Sequence, residues 1–283
     1  MKPKNTERSP LRLMWRFGGF ALALPLLLMG LITMPRQGRN GIQEEKGVIN
    51  VDALIKEINT LNNEKKPQAS MELLLLALDQ QGEDSLLRPL LLQTFDLFLE
   101  NEIRNGEQEI AKSNKNIEAY LRAASALELL GSRYRALELL VNGACANPQS
   151  SELWMKIAKL EHKSGRDWEA LDVFKEVIRL DPKNPDAYNN AAFVLAKTEN
   201  PGQKNLQTAL SLALNANKLD PDNPEYIDTL AEIEFRQGNP AQAQNLIKQA
   251  IKLAPQKDFF KVQLKRFSQQ QVIKPGQTTR FPE

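Results

Sequence analysis

The chain has 283 residues, 42% hydrophobic, 25% charged and 6% aromatic, with a formal net charge of +2, values ordinary for a folded protein of one or two domains. The charge is uneven: Lys2, Lys4, Arg8, Arg12 and Arg16 against Glu7 give residues 1–16 a balance of +4, so the remainder sits near −2 and offers no basic face for nucleic acid. The single cysteine, Cys145, excludes an intrachain disulfide and a cysteine-rich metal site.

After the basic segment 1–16, residues 17–34 (FGGFALALPLLLMGLITM) carry no charged side chain. As a helix, eighteen such residues span about 27 Å, close to the thickness of a bilayer's hydrocarbon core. The apolar run predicts a transmembrane anchor, and Trp15 falls at interfacial depth. Five basic residues precede the segment, whereas Arg36 and Arg39 follow it. The heavier positive flank places the N-terminus in the cytoplasm and the long C-terminal part across the inner membrane, in the periplasm or its equivalent. A cleavable signal peptide is the competing reading, but Leu31–Arg36 offers no small-x-small cleavage site. Residues 35–47 (PRQGRNGIQEEKG) are polar and glycine-rich, a linker of at most about 45 Å.

Residues 48–116 read as degenerate helical repeats. Val51, Leu54, Ile55, Ile58 and Leu61 recur at helical spacing behind Asn50, a fair N-cap. Pro67 opens a second helix that ends at Gly82; a third begins near Asp84 and runs to about Arg104, and a short fourth covers about 107–112.

From Ile117 a fixed period appears. Tyr120, Trp154 and Tyr188 are each thirty-four residues apart, as are Gly131 and Gly165, Ala136 and Ala170, and Pro148 and Pro182. The beat slips by five residues once, then resumes with Ala209 to Ala243 and Pro221 to Pro255. This divides 117–255 into four units: 117–150, 151–184, 185–223 and 224–255. The five-residue excess is assigned to Thr198–Asn205, a longer turn. Small residues such as Ala158 and Ala170 suit close helix crossings, Gly165 ends a helix, and Phe174 fills the space between neighbours. Cys145 lies in a helical pattern beside small residues, which predicts a buried, inert thiol. Residues 256–269 (QKDFFKVQLKRFSQ) form an amphipathic helix with Phe259, Phe260, Leu264 and Phe267, fit to cover the last apolar face. The tail 270–283 is polar and reads as disordered.

The aromatic, the small residue, the Ala-x-x-x-Phe run and the closing proline of 151–184 resemble the tetratricopeptide repeat family. Behind the N-terminal transmembrane helix expected over 17–34, the resemblance implies an all-α fold: an α-solenoid of helix hairpins with a C-terminal capping helix. It also implies a binding scaffold for peptide segments or protein partners that mediates complex assembly outside the cytoplasm. One-span anchors with such repeats resemble the accessory factors of cytochrome c maturation, and others that accompany exported proteins. In similar repeats the second, fifth, ninth and twelfth positions of the first helix line a concave groove. Here these are Glu118, Leu121, Ser125 and Glu128; Glu152, Met155, Lys159 and His162; Asp186, Asn189, Phe193 and Ala196; and Glu225, Asp228, Glu232 and Phe235. Leu121, Met155, Phe193 and Phe235 either anchor a partner or pack against the next repeat or the terminal helix.

No chemistry-bearing motif competes with this reading. His162 is the only histidine, and nothing in its local sequence holds a carboxylate against it. There is no glycine-rich phosphate loop, and the carboxylates are scattered as solvated helix faces normally scatter them. The expectation is a non-enzymatic protein with no cofactor, no metal and no small-molecule substrate.

Overall fold

The computed structural model describes residues 51–64, 66–81, 87–197 and 202–269. The expected anchor over 17–34, its basic flank 1–16, the linker 35–47 and the tail 270–283 lie outside them. Among the described residues there are twelve helices and no strand. In chain order they are α1 Val51–Asn63, α2 Pro67–Gln81, α3 Leu87–Lys112, α4 Ile117–Leu129, α5 Arg133–Ala146, α6 Ser151–Lys163, α7 Asp167–Leu180, α8 Pro185–Lys197, α9 Gly202–Leu219, α10 Pro224–Arg236, α11 Pro240–Leu253 and α12 Asp258–Ser268. None of them is long and apolar enough to cross a membrane. The chain separates into two compact units, residues up to Asn105 with Ala126–Gly131, and Gly106–Ser125 with Ser132 onward.

In the first unit the spacing of apolar residues on α1 puts Leu54 and Ile58 on one face. They meet Leu74 of α2 and Leu90 of α3 in a small core, with Ile55, Leu73 and Leu91 partly buried around it. Thr94 is buried, and its hydroxyl accepts a hydrogen bond of 3.1 Å from Asn62 Nδ2. That bond removes the cost of an unsatisfied buried hydroxyl.

The second unit is built by repetition. From α5 to α12 each helix packs on the next in the chain, and α8 also meets α10. Every first helix of a pair starts at a capping side chain. The Asn116, Ser150, Asn184 and Asn223 side chains accept from the backbone N–H of Ala119, Leu153, Ala187 and Glu225. These four caps repeat the sequence period and satisfy donors that a helix start leaves orphaned. Gly165 turns α6 into α7 at φ +77°, in the left-handed region. A Cβ there would meet nothing within 4 Å, so the glycine serves conformation and not space.

The buried rows follow the same register. Ala119, Leu153, Ala187, Tyr226 and Phe260 are all 4% exposed or less, and Leu160, Val194, Ile233 and Phe267 are 1% or less. Phe260 and Phe267 therefore occupy on α12 the places that a first helix fills elsewhere. The terminal helix is the first half of a further hairpin, seated on Ile227, Phe235, Ala243 and Ile247.

Three expectations are corrected. Residues 87–112 form one continuous helix, with no break before the expected short segment at 107–112. Gly106, between the two expected helices, lies where α3 crosses α4: a Cβ there would come within 2.7 Å of Ala123 Cβ and 3.1 Å of the Ala119 carbonyl oxygen. The five-residue excess is not all turn, because α9 already runs from Gly202 and has 18 residues against 14 in α7 and α11. The surplus adds a helical turn. Cys145 is exposed, although its neighbour Ala144 is fully buried, because one residue along a helix turns the side chain by about 100°.

Candidate functional site

The candidate site is the face shared by the first helices α4, α6, α8 and α10. Its N-terminal edge carries Glu118, Glu152, Asp186 and Glu225. A carboxylate near a helix start is favoured by the helix dipole. The second helices α5, α9 and α11 nevertheless have no acidic residue in their first turn. Tyr226 ties α10 to α8 by donating its hydroxyl to Asp186 Oδ1 at 2.8 Å. Burial, and this hydrogen bond to an anion, hold the phenol's pKa above the ordinary tyrosine value.

Along the middle of the face Leu121, Ser125, Met155, Lys159, Asn189 and Phe193 are half-buried. Ser125 turns its hydroxyl inward to the Leu121 carbonyl at 2.7 Å, which leaves it little to offer a ligand. Met155 packs partly on the core made by Ala158, Phe174, Ala192 and Leu195. Asn189 Oδ1 is closed off from solvent and has no hydrogen-bond partner among the described residues.

At the C-terminal edge the structure brings together groups that the sequence keeps apart. His162 Nδ1 lies 2.6 Å from Asp167 Oδ1. This corrects the expectation that no carboxylate is held against His162: the turn at Gly165 reverses the chain and delivers Asp167 from the start of α7. The imidazole in turn stands perpendicular to the Phe193 ring at a centroid separation of 5.8 Å. Lys197 Nζ sits 4.8 Å from the same ring, an arrangement favourable for a cation over an aromatic face. Burial, together with the nearby Arg236 guanidinium, lowers the Lys197 pKa from its ordinary value. Arg236 donates to Glu232 at 2.7 Å and to the Ala196 carbonyl at 2.9 Å, which satisfies a carbonyl at the end of α8.

The last repeat differs. Phe235 is 1% exposed and Glu232 is 3% exposed, because α12 covers both. Phe235 stacks on Phe267 at 4.8 Å, and Glu232 takes ion pairs from Arg236 and from Arg266 of α12. These two positions, expected on the open groove, belong to the interior here, since the terminal helix fills the place of a next first helix. Asp228 is half-buried with Oδ1 closed off from solvent. Burial and then the neighbouring Glu232 carboxylate push its pKa up to about 7.

Chemically the face offers an apolar middle at Leu121, Met155 and Phe193, an acidic edge and a cationic edge. His162 has an orienting carboxylate, but its ring neighbour is Phe193, and the adjacent Ser164 hydroxyl donates back to the Leu160 carbonyl. Among the described residues no group of three or more His, Cys, Asp or Glu side chains is placed to hold a metal ion.

No curated protein matches the chain. Among solved structures it is similar to YrrB, described as a TPR protein with an unusual peptide-binding site, at 17% identity over 68% of this chain and 97% of that one, with a TM-score of 0.49. It is similar to MamA from Desulfovibrio magneticus at 15% identity over 73% and 96%, with a TM-score of 0.45. A thermophilic TPR protein of Thermus thermophilus is similar at 18% identity over 78% and 98%, with a TM-score of 0.44. Residues 158–198 match the family model for the TPR repeat. That stretch is similar to the TPR repeat, and capped helix starts and small-residue crossings like those within it recur in the helices on either side.

Proposed function

We propose that the first-helix face binds an extended segment of a protein partner, and that the protein is a non-enzymatic scaffold tethered at a membrane by residues 17–34. The observation that carries the reading is Phe193. Its ring lies half-buried between His162 and Lys197, on the same face as Met155 and Leu121, and a ring so placed is suited to anchor a partner side chain. Surrounding charge on both edges supplies orientation, and tethering raises the effective concentration of the pair. Assembly or maturation of exported proteins is the process this arrangement serves.

The test is photocrosslinking in native membranes, with the reactive residue at Asn189 or at Trp168. Asn189 is on the proposed face and Trp168, 58% exposed, is on a second helix. Adducts from Asn189 and none from Trp168 are expected, and the reverse pattern would move the binding surface. Phe193→Ala should weaken capture of the crosslinked partner by more than about 1 kcal/mol with helical content unchanged.

Topology is tested separately. A reporter active only outside the cytoplasm, fused after Glu283, should be active; activity of a cytoplasm-dependent reporter instead would overturn the orientation. Replacing Arg8, Arg12 and Arg16 with neutral residues should weaken the preference, since Lys2 and Lys4 would then only match Arg36 and Arg39.

A further inference from the structure

The seam between α10 and α12 is built unlike the one between α8 and α9. The latter is lined by Ala191, Ala192, Ala209 and Ala213, all fully buried. Between α10 and α12 a polar stripe runs beside the apolar contacts. Lys257 Nζ pairs with Glu225 at 2.6 Å, the Gln263 amide lies against Asp228, and Arg266 pairs with Glu232. Residues 225, 228 and 232 fall on one side of α10, three and four apart. The guanidinium of Arg266 also lies 5.1 Å from the Phe235 ring centroid and 4.8 Å from that of Phe267, with Nε and Nη1 buried and without an acceptor.

The distribution of charge across this stripe is unequal. Glu232 takes both nearby guanidiniums, Arg236 from its own helix and Arg266 from α12. Among the described residues Asp228 Oδ1 is left without a hydrogen-bond partner, as is Gln263 Nε2 near it, and Glu232 and Glu225 are its like-charged neighbours. Arg266 is near enough to offset part of their repulsion, but it donates to Glu232 instead. The other elements packed on α10 do not redress this. From α11 come Ala243, Ile247 and Ala250, from α9 come Leu206, Ala209 and Ala213, and on α8 Asp186 is engaged by the Tyr226 hydroxyl while the charge of Lys197 acts on Glu232. A carboxyl oxygen closed off from water and without a donor of its own is cheaper to bury on a neutral group than on an ionised one.

We propose that α12 is a latch whose seating on α10 is strengthened by a proton on the Asp228 carboxyl, so that the helix closes more firmly when this group is neutral and loosens when it ionises. In the seated state burial raises the group to about 7. Lifted clear of α12, it returns toward the ordinary aspartate value of about 3.9. The sign follows: seating takes up a proton, so its equilibrium constant is greatest below about pH 4, falls by up to tenfold per pH unit as pH rises to about 7, and is flat above. Opening uncovers Phe235 and Glu232 and so lengthens the first-helix face by one repeat. The latch stands whether or not that face takes a peptide.

The experiment is amide hydrogen exchange on the full chain at pH 5, 6, 7 and 8, corrected for intrinsic exchange rates. The opening constant of residues 258–268 should rise by roughly tenfold per unit from pH 5 to 7 and level off by pH 8. Residues 151–163 on α6 should show no such change. In Asp228→Asn the α12 dependence should vanish, and Asp228→Ser serves as a second neutral replacement if the first does not fold. Phe267→Ala, which removes the main apolar contact of α12, should exchange fast over 258–268 at every pH and supplies the open reference. Equal protection of α12 at pH 5 and pH 8 in the unaltered chain, or an undiminished slope in the folded neutral variant, overturns the latch.

Discussion

Truncation of Phe174 to alanine is expected to destabilise the second unit by about 3–5 kcal/mol, the usual cost of deleting a buried phenylalanine side chain. The ring is 1% exposed on α7 and packs in one cluster with Ala158 of α6 and with Ala191, Ala192 and Leu195 of α8. Most of those neighbours are alanines, which have no side chain to swing into the vacated space, so its collapse would require backbone movement. In a stack whose units are stabilised by their neighbours, the loss falls on two interfaces at once. The check is urea unfolding of residues 48–283 followed by far-ultraviolet circular dichroism. Trp168→Ala, on the same helix but 58% exposed, should change stability by within about 0.5 kcal/mol. Similar shifts in the two variants would contradict the assigned register of α7.

Ala170→Leu is expected to cost about 1–3 kcal/mol for the opposite reason, overpacking. Ala158, Ala170, Ala191, Ala192, Ala209 and Ala213 are all fully buried, and together they let successive helices approach at their crossings. Three added carbon atoms at Ala170 have no space to enter without forcing α6 or α8 outward. Leucine and alanine have comparable helix propensity, so local preference does not offset the strain. Ala241→Leu on the exposed side of α11 is the matched control and should lie within about 0.5 kcal/mol of the parent. In thermal melting of residues 48–283, each kcal/mol should appear as a fall of about 2–4 °C for Ala170→Leu. A midpoint as high as that of the control would show that α6, α7 and α8 do not meet at this residue.

Local signals in the sequence translated directly wherever the physics is local. Asn184 and Pro185, then Asn223 and Pro224, mark helix starts because a capping oxygen satisfies an orphaned donor and a proline in the first turn has no N–H to leave orphaned, in any context. Gly131, Gly165 and Gly238 mark hairpin turns because each adopts positive φ, which other residues resist. The same kind of residue misleads when its role is tertiary. Gly106 lies between the helices expected to end near Arg104 and to begin near 107, yet it sits inside a single helix, where it makes room for Ala123 across a crossing. The excess of five residues before α9 is visible as a count, but nothing local says that part of it becomes helix.

The proposed face divides in the same way. Its middle, with Leu121, Met155 and Asn189 at one repeat position and Ser125, Lys159 and Phe193 at the next, follows from the period, since residues at equivalent places on equivalent helices share a face. Phe235 and Glu232 obey the same period and are nonetheless buried, because a later segment docks on them through Phe267 and Arg266. The contact of Asp167 with His162 depends on a chain reversal, and that of His162 with Phe193 on the packing of two hairpins. Periodicity and single-residue backbone preference thus carry the repeat, its capped helix starts and its hairpin turns. Which of the equivalent positions stay open, and which carboxylate meets a cation, is settled by tertiary packing. Those outcomes depend on contacts between segments distant in the chain, and no local preference encodes them.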